Sequence, residues 1–190
     1  MNEDLKEDLG KAVECLKKGG IILYPTDTIW GLGCDATNSE AVKKIFKIKE
    51  REDSKAMLTL VHNEAALERI AEEIPDVAWE LLDAATEPMT VIYDSARGVA
   101  PELIAEDGSL GVRITKEPFS AELCRRFGRP IVSTSANISG EKAPRNFAEI
   151  TDEIKKQADY VVKTGQGDTT QKAPSHIIKL SKGGVIKIIR

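Results

Sequence analysis

The chain has 190 residues, 41% of them hydrophobic and 31% charged, with a formal net charge of −4. These values predict one folded domain over residues 1–190 and exclude an intrinsically disordered chain. Its apolar runs are too short to cross a bilayer and its acidic start has no signal-peptide character, so we expect a cytoplasmic protein without membrane contact. The acidic balance also argues against nucleic-acid binding by bulk charge.

Hydrophobic spacing in the first half of the chain predicts alternating helices and strands. An amphipathic helix ends at Gly19-Gly20, and a second helix begins at a Ser39 cap. Two further helices are predicted over Glu64–Glu73 and Asp76–Ala85. Strands are predicted over Ile21–Tyr24, Met57–Val61 and Met89–Tyr93.

The second half continues the alternation, with helices predicted over Pro118–Phe127 and near Ala148–Gln157. Lys182-Gly183-Gly184 fits a hairpin turn between the last two strands. The predicted strands are Leu110–Ile114, Ile131–Thr134, Tyr160–Val162, His176–Leu180 and Val185–Ile189. Elements in this order predict an α/β fold with a mixed rather than purely parallel sheet.

Cysteine and histidine are scarce in this sequence. Widely spaced cysteines without a Cys-x-x-Cys pair favour neither a disulfide framework nor a zinc site. Two histidines supply little material for a metal cluster, and we interpret both as structural or surface residues. The residues concerned are Cys15, Cys34, Cys124, His62 and His176.

The segment Tyr24–Gly33 runs from a strand into a loop with hydroxyls, one carboxylate and two glycines. Open α/β sheets bind ligands at strand ends, and glycine lets a ligand approach backbone N–H groups. A polar turn whose threonines satisfy their own backbone gives the same pattern. Taken alone, the segment leaves both interpretations open.

The window Lys43–Lys55 is basic, with six cations against three anions. We assign Lys43, Lys44 and Lys47 to a solvent-exposed helix face. Three other cations lie past the predicted helix end, where charge-assisted hydrogen bonds could hold phosphates; they are Lys49, Arg51 and Lys55. The window therefore predicts a polyphosphate site.

Small polar side chains follow a buried strand in the segment Arg129–Gly140. Its hydroxyls and amide suit phosphate, ribose or carboxylate, although a Ser/Thr turn gives the same pattern. Arg113 lies in strand-like sequence, where it either extends from a sheet edge or faces a polar cavity. Walker, G-x-G-x-x-G and G-x-S-x-G motifs are missing from the sequence, which argues against a P-loop, a dinucleotide fold and a serine hydrolase.

In combination and in this order, the motifs resemble the YrdC/YciO family. The resemblance runs roughly from Lys11 to Arg190. Its motifs are Tyr-Pro-Thr-Asp-Thr with Gly-Leu-Gly at 24–33, Lys-x-Arg at 49–51, Gly-Val-Arg at 111–113, Ser-Thr-Ser-Ala-Asn-x-Ser-Gly at 133–140 and Pro-Ser at 174–175. It implies a single YrdC-like domain over 1–190: an α/β fold whose twisted open mixed sheet, with flanking helices, surrounds a concave basic cavity.

The resemblance also implies an enzyme, a nucleotidyltransferase. Its expected reaction forms threonylcarbamoyl-AMP and pyrophosphate from ATP, L-threonine and bicarbonate or CO2, for threonylcarbamoyladenosine modification of tRNA. The implied ATP-binding residues are Lys49, Arg51, Lys55, Ser109, Ser135, Asn137, Ser175 and Arg190. The implied threonine-binding residues are Thr28, Arg113 and Ser133, with Arg113 at the substrate carboxylate.

Such a reaction needs no protein nucleophile, because positioning and cations around the phosphates suffice. We therefore expect Mg²⁺ to arrive with ATP, no organic cofactor and no metal ligands in the protein. Expected partners are tRNA or double-stranded RNA and a downstream threonylcarbamoyl-transferase complex. Departures from the family pattern at Trp30, Glu52, Leu60 and Glu87 keep open a YciO-like paralogue without synthase activity. The basic window keeps open an RNA-binding module of the same fold.

Overall fold

The computed structural model describes residues 3–50 and 57–190. The helices of this part are α1 (Glu3–Lys17), α2 (Ser39–Ile48), α3 (Glu64–Leu67), α4 (Asp76–Ala84), α5 (Pro118–Phe127) and α6 (Asp152–Gln157), with 3₁₀ turns at Pro101–Leu103 and Phe147–Glu149. The strands are β1 (Ile22–Tyr24), β2 (Gly31–Gly33), β3 (Leu58–Val61), β4 (Met89–Tyr93), β5 (Leu110–Ile114), β6 (Ile131–Ser135), β7 (Tyr160–Val161), β8 (His176–Leu180) and β9 (Ile186–Ile188). None of these helices has both the length and the apolar character needed to cross a bilayer.

The strands form a mixed sheet in the order β7-β1-β2-β6-β3-β5-β4-β8-β9. Three pairs are parallel, namely β1 with β7, β3 with β5, and β4 with β8, and the other neighbours are antiparallel. The prediction of an α/β fold with a mixed sheet is therefore confirmed. Strands β2, β6, β5, β4 and β8 are distant along the chain but lie close together in the sheet, which allows them to build one site.

Amphipathic helices cover the sheet. Helix α1 buries Leu9, Ala12 and Leu16 and packs against α5 and β1, while α5 also contacts β3. Helix α5 begins with Pro118 and ends at Gly128, whose φ of 74° is the left-handed conformation that glycine adopts without steric cost. The predicted bounds of α5, β4, β5 and β8 are confirmed.

Three local predictions were wrong. The cap of α2 is Asn38, not Ser39, because Asn38 is extended and its Oδ1 accepts from the N–H groups of Glu40 and Ala41. Helix α3 stops at Leu67 instead of continuing to Glu73. Near the predicted helix Ala148–Gln157, a 3₁₀ turn precedes the shorter α6, whose cap is the Thr151 hydroxyl.

The two glycines predicted to lie in a ligand-binding loop form strand β2 instead. A Cβ on Gly33 would lie 2.6 Å from the Tyr24 ring and 2.8 Å from the Val132 carbonyl oxygen, so this position has no space for a side chain. Gly31 borders the cavity described below. One glycine therefore serves close strand packing, and the other lines a cavity.

Thr59 provides a test of how buried polar groups affect this fold. Its side chain is fully buried in β3, and its hydroxyl has no hydrogen-bond partner among the described residues. Because an unsatisfied buried hydroxyl is destabilising, we expect Thr59→Val to raise the free energy of unfolding by about 1 kcal/mol. Thermal unfolding would then shift upward by about 2–4 °C. A downward shift would contradict the absence of a partner.

Candidate functional site

A cavity of about 1230 Å³ opens on one face of the sheet. Its wall is built by the loop between β1 and β2, the end of β6, the central strands β4 and β5, the strand β8 and the segment 172–175. The volume exceeds the roughly 300–1,000 Å³ of most small-molecule pockets, so two substrates can be bound side by side. Among the described residues, four cations reach the lining, namely Arg113, Lys172, Lys179 and Arg190, against two carboxylates, Glu106 and Asp107.

Most of the predicted site residues meet in this cavity. Those that line it are Thr28, Ser109, Arg113, Ser133, Ser135, Ser175 and Arg190. Lys49 and Asn137 lie beneath the loop that follows β6 rather than in the lining. Arg51 and Lys55 fall outside the described residues, so their predicted contact with phosphates stays a prediction.

Arg113 lies on β5 and is 4% exposed. Its Nε and Nη2 donate to the Thr90 hydroxyl at 3.1 and 3.0 Å, and Thr90 is itself buried on β4. Burial lowers the pKa of Arg113, while the nearby charge of Asp27 acts in the opposite direction. Since a guanidinium stays protonated in proteins, the cavity holds a buried positive charge. Two positions were predicted for Arg113, a sheet edge or a polar cavity. The structure places it in the polar cavity.

Arg190 provides a second cation next to Arg113. Its Nε donates to the Ser175 carbonyl oxygen and its Nη2 to the Ser175 hydroxyl, both at 3.2 Å. The Thr90 hydroxyl donates to the same Ser175 hydroxyl at 3.5 Å. Two hydroxyls therefore connect the two guanidiniums, and both guanidiniums line the same cavity.

The rim of the cavity carries a compact charged group. Lys179 Nζ lies 2.6 Å from an Asp107 carboxylate oxygen, and the hydroxyl of Ser109 donates to the other oxygen. These hydrogen bonds, from Lys179 first and then Ser109, hold the pKa of Asp107 far below its usual value. Asp107 is therefore an anion that positions Ser109 at the cavity wall.

The loop between β1 and β2 is fixed from both sides. Within the loop, the Thr26 hydroxyl donates to the Ile29 carbonyl oxygen at 2.6 Å. Asp27 accepts from the Thr115 hydroxyl and from the N–H groups of Lys116 and Glu117, just before α5. Both interpretations of this segment apply, because the threonine satisfies its own backbone while Thr28 lines the cavity.

Lys49 organises the loop after β6. Its side chain is buried, and Nζ donates to the carbonyl oxygens of Ser135 and Asn137 and to their side-chain oxygens. The Asn137 amide in turn donates to the carbonyl oxygens of Ile138 and Glu141. Lys49 thus supports Ser135 from below, and its predicted contact with ATP phosphates stays a prediction.

Two of the cations of α2, Lys43 and Lys44, are engaged within the protein. Lys43 pairs with Glu40 and Glu102, and Lys44 donates to the Gly19 carbonyl oxygen. Both lysines are solvent-exposed, which confirms the prediction of an exposed helix face. The histidines lie outside the cavity lining, and His176 pairs with Glu87 at the surface. Neither observation favours the RNA-binding or the hydrolase alternative.

Sequence reasoning missed several residues that line the cavity, among them Thr90 and Lys172. Thr90 was predicted only as part of a strand. The one local sign of a site residue was its polar side chain between the apolar Met89 and Val91. Lys172, whose Nζ donates to the Thr26 carbonyl oxygen at 2.9 Å, lies in an irregular segment without a recognisable pattern. Both were missed because their positions depend on contacts between distant parts of the chain.

These features define an α/β protein with a large cavity on its sheet, lined by hydroxyls and guanidinium groups. A family model for Sua5, YciO and YrdC proteins, described as "Telomere recombination", matches residues 14–190. The chain belongs to this family, which confirms the resemblance read from its motifs.

Individual relatives extend this result. The chain is 32% identical over 182 residues to a threonylcarbamoyl-AMP synthase of Pseudoalteromonas translucida, covering 94% of this chain and 96% of that protein. It is similar to P. abyssi Sua5 complexed with L-threonine, with a TM-score of 0.87, 26% identity, and coverage of 100% of this chain but 55% of the Sua5 chain. It is also similar to E. coli YciO, with a TM-score of 0.82, 25% identity, and coverage of 96% and 87%. The chain thus spans about half the length of that Sua5 structure.

The role of Lys49 can be separated from that of a substrate ligand. Lys49→Met removes the ammonium that donates to two buried oxygens of Asn137 and two partly buried oxygens of Ser135, so we expect the free energy of unfolding to fall by about 2–4 kcal/mol. The matched control is Lys47→Met on the exposed face of α2, which should change stability by less than about 0.5 kcal/mol. Urea unfolding measures both. Equal stability of the two variants would show that Lys49 does not hold the loop.

Proposed function

We propose that the chain is a threonylcarbamoyl-AMP synthase, which forms this adenylate and pyrophosphate from L-threonine, bicarbonate or CO2, and ATP. The observation that carries the proposal is the buried Arg113, which faces the cavity beside Arg190; the described hydrogen bonds of the two guanidiniums go to hydroxyl and carbonyl oxygens. A buried guanidinium of this kind requires an anionic ligand, and threonine carboxylate and ATP phosphates are such ligands. The names of the relatives support the same reaction.

In this proposal Arg113 binds the threonine carboxylate, with Thr28 and Ser133 around the amino acid. Both residues line the same cavity as Arg113. The threonine amine adds to CO2 to give a carbamate, and a carbamate oxygen attacks the α-phosphorus of ATP. The bond from the α-phosphorus to the bridging oxygen breaks, and pyrophosphate leaves. Orientation of the two substrates supplies most of the catalysis.

ATP would occupy the part of the cavity near Arg190, Ser109 and Ser135. Arg190 supplies positive charge for the phosphates, and the two serine hydroxyls supply hydrogen bonds. Trp30 lines the wall and packs against Phe147 with ring centroids 4.8 Å apart, and it would provide apolar contact for the base. We also propose that Arg51 and Lys55 reach the phosphates.

Magnesium fits this site as an ion that enters with ATP. Mg²⁺ binds mainly through substrate phosphates and one or two carboxylates, and the carboxylates of the lining are Glu106 and Asp107. Asp107 is already paired with Lys179. Glu106 is therefore the residue that would assist the ion, and Mg²⁺ would neutralise charge on the phosphates when bound.

We also propose how the product of the reaction is used. The adenylate would be used for threonylcarbamoyladenosine modification of tRNA by a downstream threonylcarbamoyl-transferase complex in the cytoplasm. We also propose contact with tRNA or double-stranded RNA, as a secondary interaction. Lys43 and Lys44 are already engaged within the protein, so less of their charge is available to RNA. Filter binding to RNA should then be weak and fall steeply with salt.

The decisive assay incubates the purified chain with ATP, labelled bicarbonate and L-threonine. We expect release of pyrophosphate only when threonine is present, together with transfer of the label to an adenylate. Binding of ATP without threonine-dependent pyrophosphate would refute the synthase and favour the YciO-like alternative, which the similarity to E. coli YciO supports.

Arg113→Lys tests the carboxylate contact. Lysine keeps the charge but lacks the planar fork, so we expect kcat/KM for threonine to fall by about 10- to 100-fold. The control is Arg125→Lys, which changes an exposed arginine paired with Glu122 on α5 and should keep wild-type kinetics. An unchanged kcat/KM in Arg113→Lys would remove Arg113 from the threonine site.

A further inference from the structure

We propose that Thr90 is a positioning residue that fixes the orientation of the Arg113 guanidinium for its ligand. The inference deepens the proposed function, on which its kinetic part rests. The Thr90 hydroxyl and the Arg113 guanidinium differ in the number of hydrogen bonds that they can make. A threonine hydroxyl has one donor and two acceptor lone pairs, whereas a guanidinium has five donors and no acceptor.

Thr90 Oγ1 receives two of the five N–H groups of Arg113. They come from Nε and Nη2, at 3.1 and 3.0 Å, which together form the side-on edge of the guanidinium. The remaining N–H groups, two on Nη1 and one on Nη2, form the end-on edge. This edge matches the two oxygens of a carboxylate. Thr90 therefore selects the edge that is left for the substrate.

The lone pairs of Thr90 also fix the direction of the next hydrogen bond. Because both acceptor positions are filled by Arg113, the Thr90 proton must be donated elsewhere, and it points to Ser175 Oγ at 3.5 Å. Ser175 Oγ also accepts from Arg190. With both acceptor positions of Ser175 occupied, its own proton is left for an acceptor in the cavity that it lines.

The environment keeps Thr90 in place. It lies on β4 and is 3% exposed, and β4 is hydrogen-bonded to β5 on one side and β8 on the other. Its methyl group lies on the side of Gly111 in the neighbouring strand, where a Cβ would come within 3.7 Å of it. Valine keeps this methyl contact and removes only the hydroxyl, which makes Thr90→Val a specific substitution.

The predicted consequence is selective for one substrate. Without the hydroxyl, Arg113 keeps its charge and its place in the sheet but loses the partner that holds its side-on edge. We expect Thr90→Val to raise KM for threonine by about tenfold or more, while KM for ATP changes by less than about threefold. Thr90→Ser restores the hydroxyl and should recover most of the loss.

The control is Thr59→Val, since Thr59 is also a buried threonine of the sheet but its hydroxyl has no partner among the described residues and it is not part of the lining. This variant should keep wild-type KM values for both substrates. Thermal unfolding of all variants separates loss of folding from loss of positioning. Equal KM values for threonine in Thr90→Val and wild type, or equal defects in Thr90→Val and Thr90→Ser, would overturn the proposal.

A second measurement does not depend on the reaction. NMR of the arginine Nε–H groups reports exchange with water, and the Arg113 signal is identified by its loss in Arg113→Lys. We expect slow exchange in wild type and Thr90→Ser and faster exchange in Thr90→Val. Identical exchange in Thr90→Val and wild type would overturn the positioning role. A wild-type protein without threonine-dependent pyrophosphate release would refute the proposed function, and the exchange rates would still decide the role of Thr90.

Discussion

The structure depends on a buried positive charge in the middle of its sheet. Arg113 is on β5, between β3 and β4, where a guanidinium removed from water is costly unless other groups replace its hydration. Its observed hydrogen-bond partner is the neutral hydroxyl of Thr90 rather than a carboxylate. A carboxylate in that position would neutralise the charge and occupy the edge that a ligand needs. The neutral partner keeps the guanidinium in place and leaves its charge available.

This constraint explains the polar character of the surrounding cavity. Serine and threonine hydroxyls from β4, β6 and the segment before β8 surround the arginines, and they can both donate and accept. They provide hydrogen bonds to anions and leave space for bulky substrates. The cavity lacks an obvious nucleophile or a histidine general base among its described lining, and the chemistry proposed for it requires neither. Catalysis would come from placing two anionic substrates against fixed positive charges.

The sequence predicted the helices and strands more reliably than the contacts between them. Proline at Pro118 and glycine at Gly128 are local signals, so the bounds of α5 could be predicted. The cap of α2 was assigned one residue too late, because Asn38 and Ser39 are both good capping residues and only the backbone conformation distinguishes them. Residues 31–33 were predicted to lie in the loop after β1, yet they form β2, where the close approach of Tyr24 leaves room only for glycine at position 33.

For the site, the motifs predicted which segments meet but not how each side chain is used. Ser133 and Ser175 were expected in the cavity and line it. Lys49 donates to the loop oxygens below Ser135, a contact that no local pattern could reveal, while its expected contact with phosphates stays a prediction. Thr90 was missed because its importance arises from a neighbour on another strand, 23 positions away along the chain. Roles that depend on partners distant in sequence require the folded structure.

Several contacts of the sheet and the cavity join residues that are far apart along the chain, and this affects how the protein folds. Strand β1 pairs with β7, Asp27 receives a hydrogen bond from Thr115, 88 positions later, and the final cation of the cavity is Arg190. Closing such long loops is slow and has a large entropic cost. The cavity is complete only when β8 has joined the sheet, because β8 and the segment before it form part of its wall. A nucleotide that binds this cavity would select chains that have completed that step and would slow their unfolding.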